Sequence, residues 1–410
     1  MAITDKETGV WGLDQVYNKI NQGSIWEYSG AKQLWAAGYG VYGGLGNNTS
    51  SPSAMRSSPV QIPGTWDGIL VGGDESAFAT KSDGTLWTWG RNNNGDLGQN
   101  NLTDRSSPVQ IPGTTWPLTD QHKMSFSGST AAAIKTDGTL WTWGSNYKGG
   151  IGAPGVGGDD KRSSPTQVPG TTWSKISTGT FSQCAIKTDG TMWTWGSNVY
   201  GNLGTNQHST AFPDYDGAQT YSSPVQIPGT SWSKIPQTCK SSRCAIRTDG
   251  TLWAWGYNGD GQLGQNEQGA YPGFGGLYSS PVQIPGTTWN DVWTGAGGSL
   301  FIATKTDNTL WAWGYNGNGE LGQNTQGDSR SSPVQIPGTT WNKVSTGGNL
   351  VIASKTDGTY WSWGSSYYGH AGNNTRGPAA TSGISSPTQV PGDYLNIVVG
   401  SSLALFNRNA

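Results

Sequence analysis

A five-residue motif, L-W-x-W-G, recurs along the chain at intervals of 50 to 60 residues. It stands at Leu86–Gly90, Leu140–Gly144, Leu252–Gly256 and Leu310–Gly314, as Met192–Gly196 and Tyr360–Gly364, and as Leu34–Gly38, where Ala37 replaces the second tryptophan. A second motif, S-S-P-x-Q-x-P-G, also occurs seven times, beginning at Ser57, Ser106, Ser163, Ser222, Ser279, Ser331 and Ser385. Two independent counts of seven predict a fold built from seven equivalent units.

Each unit predicts four short β-strands. The S-S-P-x-Q segment is the first, and because its prolines cannot donate to a ladder we expect it at a sheet edge. Trp173–Ser177 is typical of the second strand and Cys184–Lys187 of the third. An Asp-Gly turn then leads into the L-W-x-W strand, and this dipeptide is a strong hairpin signal. These turns stand at Asp83, Asp137, Asp189, Asp249 and Asp357, with Asp307-Asn308 as a variant.

The two tryptophans of the L-W-x-W strand are two residues apart, so both point to one face of the sheet. A lone four-stranded sheet cannot bury a row of tryptophans, whereas sheets stacked around an axis can. We therefore predict an all-β fold, a seven-bladed β-propeller with four-stranded blades. Its core should hold the thirteen motif tryptophans together with Trp66, Trp116, Trp173, Trp232, Trp289 and Trp341.

The two ends of the repeat array predict how the ring closes. The first repeat begins at a fourth strand, Gln33–Gly38, and the chain ends after a third-strand segment, Ser402–Phe406. We expect Leu403–Phe406 to pair with Leu34–Ala37, so that both ends of the chain complete one blade.

The repeated pattern D-G-x-x-W-x-W-G-x-N-x-x-G-x-L-G resembles the RCC1 repeat over residues 31–410. The resemblance implies an RCC1-like seven-bladed propeller, most similar to microbial and viral members. The resemblance implies three possible activities, and the sequence lacks the mark of each. Guanine-nucleotide exchange on a small GTPase is associated with a basic tail, but the chain opens with Thr4–Glu7. Ultraviolet sensing is associated with G-W-R-H-T motifs and β-lactamase inhibition with a signal peptide, and neither is found. A cellular RCC1-like protein-protein interaction module, a regulator or inhibitor, stays open as an alternative.

Composition limits the partners. Only 12% of the residues are charged and the net charge is −2, which argues against nucleic acid because phosphate binding needs clustered Lys and Arg. No apolar run is long enough for a membrane span. Cys184 and Cys244 hold the same place in neighbouring repeats and are expected to be buried, while a Cys239–Cys244 bridge is a lesser alternative.

Residues 1–30 form a separate predicted segment. Leu13, Val16, Tyr17 and Ile20 follow helical spacing, and Gly23 is a suitable end for a short helix. Such a helix needs a partner surface for its apolar face and for Trp11 and Trp26. The segment G-V-W-x-L-x-x-V-Y resembles N-terminal segments of tailed-bacteriophage structural proteins, which implies docking onto other virion proteins. The plainer alternative is a cap on the propeller.

No catalytic pattern is present. His122, His208 and His370 are far apart and lack metal-ligand spacing, and no nucleophile elbow or phosphate loop occurs. We predict no enzyme activity, no cofactor and no metal. A glycan depolymerase would need a pair of carboxylates. It stays a minor alternative because acids in the variable loops could supply the pair: Asp159, Asp160, Asp214 and Asp216.

The repeats differ mainly between the fourth strand and the next S-S-P. These variable loops are Thr49–Arg56, Asn101–Arg105, Gly155–Arg162, Gln207–Tyr221, Glu267–Tyr278, Thr325–Arg330 and Thr375–Ile384. Strand alternation places them on one face with the second-to-third-strand turns, opposite the Asp-Gly and Pro-Gly turns. Insertions of this kind gather on the binding face. The longest two carry the candidate partner-binding residues Phe212, Tyr215, Tyr221, Tyr271, Phe274 and Tyr278.

These observations predict a non-enzymatic bacteriophage virion protein assembled in the host cytoplasm. Residues 1–30 would dock onto other virion proteins, on the head or in the tail fibre or baseplate. The variable loops would bind a protein or glycan, for example on the host surface.

Overall fold

The computed structural model describes residues 32–51, 55–66, 68, 70–72, 75–118, 120–127, 129–153, 160–207, 220–269, 276–295, 298–365, 367–372 and 383–409. Within these residues, 28 strands form seven antiparallel four-stranded sheets, which confirms the predicted propeller. Two short 3-10 turns, Gln121–Lys123 and Tyr147–Gly149, are the helical elements described. The helix predicted within residues 1–30 lies outside the described residues.

The strands fall into blades in chain order. Blade 1 holds β3 (Leu70–Gly72), β4 (Ser76–Thr80), β5 (Leu86–Gly90) and β6 (Arg105–Ile111); blade 2 holds β7 (Met124–Ser127), β8 (Thr130–Ile134), β9 (Leu140–Ser145) and β10 (Lys161–Val168). Blade 3 holds β11 (Trp173–Thr178), β12 (Ser182–Lys187), β13 (Met192–Ser197) and β14 (Thr220–Ile227); blade 4 holds β15 (Trp232–Lys234), β16 (Ser242–Arg247), β17 (Leu252–Gly256) and β18 (Tyr278–Ile284). Blade 5 holds β19 (Trp289–Gly295), β20 (Leu300–Lys305), β21 (Leu310–Gly314) and β22 (Arg330–Ile336); blade 6 holds β23 (Trp341–Gly347), β24 (Leu350–Lys355), β25 (Tyr360–Ser365) and β26 (Gly383–Val390). Blade 7 holds β27 (Asn396–Val399), β28 (Leu403–Asn409), β1 (Lys32–Tyr39) and β2 (Met55–Ile62).

The S-S-P strand is the outer edge strand of every sheet, as its prolines predicted. It pairs with the L-W-x-W strand that precedes it: Leu86 faces Ile111 and Thr88 faces Val109. In the sequence analysis we counted this strand as the first of its repeat. In the structure it is the fourth strand of the preceding blade, so the sequence repeat and the blade are offset by one strand. Each blade starts instead with the second predicted strand, which lies innermost because the first strands of successive blades, such as β23, β27, β3 and β7, contact one another around the axis.

The closing blade confirms the pairing predicted from the chain ends. Strand β1 pairs antiparallel with β28, with Trp35 opposite Phe406 and Ala37 opposite Ala404. Phe406 also explains why Ala37 is tolerated. In blade 6 the second motif tryptophan, Trp363, packs over Gly322, and in blade 7 the ring of Phe406 packs over the equivalent Gly372. A neighbouring strand therefore supplies the aromatic ring that the degenerate motif lacks.

The prediction that all motif tryptophans are core is wrong for the first of each pair. The second tryptophan is fully buried in six blades, whereas the first is half-buried in all seven. The reason is a cation at the end of the preceding strand: Lys187 Nζ lies 4.4 Å from the ring centre of Trp193 and 4.9 Å from that of Trp173. Because the Lys187 ammonium must stay hydrated while it contacts both indoles, Trp193, the first tryptophan of the motif, remains partly exposed at the surface.

Asp-Gly turns fix the hairpins beside these cations. In the third blade, Asp189 Oδ1 accepts hydrogen bonds from the amide and the hydroxyl of Thr191, at 2.9 and 2.7 Å. The indole Nε1 of Trp193 then donates to Thr191 Oγ1 at 2.9 Å. The same arrangement recurs at Asp83, Asp137, Asp249, Asp307 and Asp357.

The glycine that ends each L-W-x-W-G motif is required by a bulge. At Gly144 φ is +102°, and an added Cβ would lie 2.2 Å from the carbonyl oxygen of Ser129. The register between β9 and β10 shifts at this point, between Thr142 and Gly144. Only glycine accommodates both the left-handed backbone and the close approach.

Candidate functional site

The connections between strands separate onto two faces of the disc. On one face, the third strand of a blade ends beside the first-to-second-strand turn: the Ser197 amide donates to Phe181 O and the Arg91 amide to Glu75 O. On the other face, Asp-Gly turns meet Pro-Gly segments, as where the Trp173 amide donates to Gly138 O. We call these the loop face and the turn face. The variable loops leave from the ends of the third strands, so their described ends lie on the loop face, as predicted.

A buried asparagine organises the start of five of the seven loops. Asn92 Oδ1 accepts a 2.9 Å hydrogen bond from the Leu97 amide, and its Nδ2 donates to the Asn101 carbonyl at 2.9 Å. The same amide bridge to the residue five positions later recurs at Asn146, Asn198, Asn258 and Asn316. These asparagines use their polar groups inside the loop. Among the described residues, no group of three or more His, Cys, Asp or Glu side chains could hold a metal ion.

Each of these loops also reaches the next blade. The residue between Gly and Leu in the N-x-x-G-x-L-G segment, here called the wedge residue, accepts a hydrogen bond on its carbonyl from the buried tryptophan of the following blade. The pairs are Trp89–Gly44, Trp143–Asp96, Trp195–Gly150, Trp255–Asn202, Trp313–Gln262 and Trp363–Glu320. His370 is the seventh wedge residue and packs against Gly38. Wedge side chains are therefore held between blades on the loop face.

A recess on the described loop face is lined by blades 7, 1, 2 and 3 and by the loop of blade 6, and has a volume of about 780 Å³. This value falls within the range of ligand-binding clefts. We call it the basin. Its lining includes Tyr39, Met55, Glu75, Arg91, Asn93, Asn94, Asp96, Ser129, Thr180, Phe181, Tyr367, Tyr368, Ser401 and Ser402.

One side of the basin is a tyrosine cluster. The ring centres of Tyr39 and Tyr368 are 5.6 Å apart, and Tyr39 also lies 6.4 Å from Tyr42. Tyr367 packs edge-on against Tyr368 at 4.9 Å. These residues come from blade 7 and from the loop of blade 6, so the cluster forms where the two ends of the repeat array meet.

The centre of the basin carries charge. Arg91 donates to a carboxylate oxygen of Glu75 at 2.6 Å, and this hydrogen bond raises the pKa of Arg91. The Arg91 guanidinium also lies 4.7 Å from the ring centre of Tyr42. Asp96, a wedge residue, is 3% exposed, and burial raises its pKa to about 7.

The other side of the basin is a second aromatic group. Phe181, in the first-to-second-strand turn of blade 3, is 40% exposed. It packs edge-on against Tyr147 with ring centres 4.8 Å apart. An exposed phenylalanine backed by a second ring is a feature of binding surfaces.

The residues predicted as partner-binding do not line this basin where the structure describes them. Tyr221 lies on β14, where its hydroxyl donates to Gln207 Oε1 at 2.8 Å, and half-buried Tyr278 begins β18 and donates to Glu267. The hydrogen bond to Glu267 raises the pKa of Tyr278. A binding role for these two stays a prediction. The other candidates lie outside the described residues: Trp11, Leu13, Val16, Tyr17, Ile20, Trp26, Phe212, Tyr215, Tyr271 and Phe274.

Sequence reasoning missed most of the basin residues because, apart from Met55, they lie outside the variable loops. The available signal was variation at fixed repeat positions: the wedge position reads Gly, Asp, Gly, Asn, Gln, Glu and His in successive repeats. Of these seven wedge residues, Asp96 is the one that lines the basin as described.

The two described histidines and the three cysteines are buried or half-buried. His370 is 1% exposed and burial lowers its pKa to about 4; burial also lowers the pKa of His122. Cys184, Cys239 and Cys244 are free and buried, so the lesser alternative of a Cys239–Cys244 bridge is not formed here. Burial raises the pKa of Cys184 to about 12. Of the four loop acids, only Asp160 lies within the described residues, and none of the four lines the basin as described. Within the described part of the chain, no helix has the length and apolarity of a membrane span.

Together, the blades and the basin define a seven-bladed β-propeller with a recess on its loop face. The family model for the Regulator of chromosome condensation (RCC1) repeat matches residues 83–116, 137–186, 189–238 and 307–354, and a second RCC1 repeat model matches residues 173–202 and 244–262. The protein contains RCC1 repeats and folds as an RCC1-like propeller.

Curated relatives carry the same repeats at low identity. The ultraviolet-B receptor UVR8 of Arabidopsis thaliana is 28% identical over 306 residues, covering 71% of this chain and 62% of the relative. The mitochondrial RCC1 domain-containing protein RUG3 of the same plant is 28% identical, covering 62% and 55%. The chain therefore spans about six-tenths of the length of these relatives.

Solved structures support the fold. Prp20p of Saccharomyces cerevisiae superposes with a TM-score of 0.74 at 16% identity, covering 92% of each chain. Human WBSCR16 superposes with a TM-score of 0.76 at 15% identity, covering 93% of this chain and 99% of its own. At these identities the likeness shows the fold and not a shared activity.

Proposed function

We propose that this propeller is a non-enzymatic interaction module that binds a partner protein in the basin of the loop face. The observation that carries the proposal is the pair of aromatic groups, Tyr39–Tyr368 and Tyr147–Phe181, on either side of the Glu75–Arg91 ion pair. Tyrosine, phenylalanine and arginine are enriched at protein interfaces, and tyrosine and arginine are among the residues that carry most of the binding energy.

Two similar structures support protein binding as the class of function. Prp20p was solved in a study of its binding to Gsp1p and histones, and the same protein, yeast RCC1 (Prp20), was solved bound to Kap60. Those partners belong to that protein. What we carry over is that an RCC1-like propeller serves as a platform for other proteins.

Virion display is a second hypothesis, and it rests on the segment 9–23 and its helical spacing. These residues lie outside the described residues, and no comparison supports a virion role. Co-sedimentation of the full chain and of a chain lacking residues 1–30 with purified phage particles would test it. Equal co-sedimentation, or none for either chain, would remove the hypothesis.

The basin is tested by a matched pair of substitutions. Phe181 on the loop face and Leu395 on the turn face are 40% and 43% exposed, so truncating either disturbs the fold little. We expect Phe181→Ala to reduce recovery of the native partner on the tagged full chain about tenfold, and Leu395→Ala to leave it unchanged. Quantitative mass spectrometry of the co-purified proteins measures this. Loss with Leu395→Ala alone would place the interface on the turn face.

A further inference from the structure

One oxygen of the Asp96 carboxyl has no donor, whereas the carboxyl also accepts hydrogen bonds from the backbone of Asp96 and Asn94. Among the described residues, Asp96 Oδ1 has no hydrogen-bond partner, although the side chain is 3% exposed and lines the basin. A buried carboxylate oxygen left without a donor is costly. The fold nevertheless holds it in place, because the Asp96 carbonyl is bonded to Trp143 at 2.7 Å.

The same position in blade 5 shows what a satisfied wedge carboxylate looks like. Glu320 is fully buried, and its two oxygens accept from the amide and the side-chain nitrogen of Asn318 at 2.8 and 3.0 Å. Glu320 does not line the basin. The two repeats thus share a buried acid at the wedge position, and the acid that faces the basin is the one left with an unpartnered oxygen.

The neighbouring cation does not supply the missing donor. Arg91 donates to Glu75 and stacks on Tyr42, and it acts on Asp96 only through its field. The other charge acting on Asp96 is Asp104, which opposes ionisation. The basin therefore presents an unmet acceptor beside an ion pair that is already neutralised, which favours a ligand that brings a positive charge and N–H donors.

The flanking aromatics indicate a chain rather than a small amine. The basin, at about 780 Å³, holds more than one side chain, and its lining combines the tyrosine cluster of blades 6 and 7 and Phe181 of blade 3 with the charged residues of blade 1. An extended peptide presents successive side chains along its length, so it can place apolar residues on the rings and a basic residue at Asp96.

We propose that the basin binds an extended peptide segment of a partner protein and that Asp96 accepts a hydrogen bond from a lysine or arginine side chain of that segment. This rests on the proposed function and adds the chemical class of the ligand. Asp96 is then a specificity element, and the ligand supplies a donor to the one carboxylate oxygen that the fold leaves without a partner.

The probe is an array of immobilised ten-residue peptides with one central position fixed as Lys, Arg, norleucine or Glu and the others randomised, incubated with the purified full chain. We expect Lys and Arg to be selected over norleucine, with aromatic or aliphatic residues enriched on both sides. For the strongest Lys peptide, fluorescence anisotropy should show an affinity about tenfold to a hundredfold above that of its norleucine counterpart.

Two variants assign the effect to Asp96. Asp96→Asn should bring the Lys peptide to the affinity of the norleucine peptide, whereas the matched control Glu320→Gln should leave both affinities unchanged. Asp96→Gly tests the same point with a residue that the chain itself uses at Gly44 and Gly150. Because the ligand needs the ionised carboxylate, affinity should fall about tenfold between pH 8 and pH 6 in the wild type and stay constant in Asp96→Asn.

Other outcomes overturn the inference in distinguishable ways. Selection of neutral or acidic peptides whose binding is lost in Phe181→Ala and unaffected by Asp96→Asn would remove the basic ligand and leave the basin as a protein-binding site. Basic peptides that bind equally to Asp96→Asn and Phe181→Ala would place the site elsewhere. Binding to a glycan array but to no peptide, lost in Phe181→Ala, would contradict both this inference and the proposed protein-binding function.

Discussion

The indole Nε1 of Trp143 donates a 2.7 Å hydrogen bond to the carbonyl oxygen of Asp96 across the boundary between blades 1 and 2. Trp143 is fully buried in the core, while Asp96 lines the basin. Asp96 thus connects the packing of the repeats to the candidate binding surface. A substitution of Trp143 in the core should therefore change binding in the basin.

Trp143→Phe should destabilise the fold by about 2 kcal/mol, because it removes the hydrogen bond and part of the buried ring. Trp255→Phe is the matched control, since Trp255 is also fully buried and donates to Asn202 O at 3.1 Å. Urea unfolding should give similar losses for both variants. Only Trp143→Phe should weaken binding of the Lys peptide, and equal affinities in the two variants would contradict the link to Asp96.

Gly144→Ala should cost at least about 3 kcal/mol, because a Cβ there meets Ser129 O at 2.2 Å and the backbone must move. Gly358 provides the comparison: its φ is +85°, and an added Cβ would meet nothing within 4 Å. Gly358→Ala should therefore cost only the left-handed strain of about 1 kcal/mol. Urea midpoints measure the difference. Equal costs would show that the bulge at Gly144 can relax.

The repeat pattern predicted the number of blades, the edge position of the S-S-P strand and the pairing of Leu403–Phe406 with Leu34–Ala37, because each depends on local strand geometry. It did not predict that Phe406 fills the space left by Ala37, since that requires the register across the closing blade. It also placed every motif tryptophan in the core, because spacing shows which face a side chain takes but not whether a cation such as Lys187 covers it.

The basin could not be predicted from the sequence, because its residues are brought together by the tertiary structure. Tyr39 and Tyr368 belong to opposite ends of the repeat array and meet only because the ring closes. The state of Asp96 is likewise not readable from its repeat position, since Glu320 holds the same position with both oxygens satisfied. The sequence analysis predicted binding residues in the long variable loops, whereas the described site is made mainly from short turns.

Deletion of residues 30–38 should abolish cooperative folding, because it removes β1 from between β2 and β28 and opens the ring. A deletion of residues 2–29, which leaves β1 in place, is the control and should keep a sharp thermal transition. Far-UV circular dichroism during heating measures both. A wild-type-like melt for the first deletion would contradict the closure.

His370→Gln should remove a dependence of stability on pH. His370 is 1% exposed, neither ring nitrogen has a hydrogen-bond partner within the described residues, and burial lowers its pKa from about 6.5 to about 4. As pH falls from 6.5 to 4 the unfolded chain takes up a proton that the folded chain refuses, so the wild type should lose about 3 kcal/mol relative to the variant. Gln262 already occupies the equivalent wedge position.

Asp96→Asn should show the opposite dependence of relative stability on pH in the same urea experiment. The pKa of Asp96 is raised to about 7, so the folded chain holds a proton that the unfolded chain releases above about pH 4. Wild-type stability relative to Asp96→Asn should therefore fall as pH rises from 4 to 7. Urea unfolding at pH 4.5, 6 and 8 measures both differences, and the same sign for both variants would contradict these environments.

The claim that partners bind in the basin of the loop face is tested most directly by site-specific photo-crosslinking. Benzoylphenylalanine would replace Phe181 in one full-length chain and Leu395 in another, and each would be irradiated in an extract of the protein's natural source. We predict an adduct of defined mass from position 181 that is suppressed by excess unlabelled protein, and no such adduct from position 395. A specific adduct from position 395 with none from position 181 would contradict it.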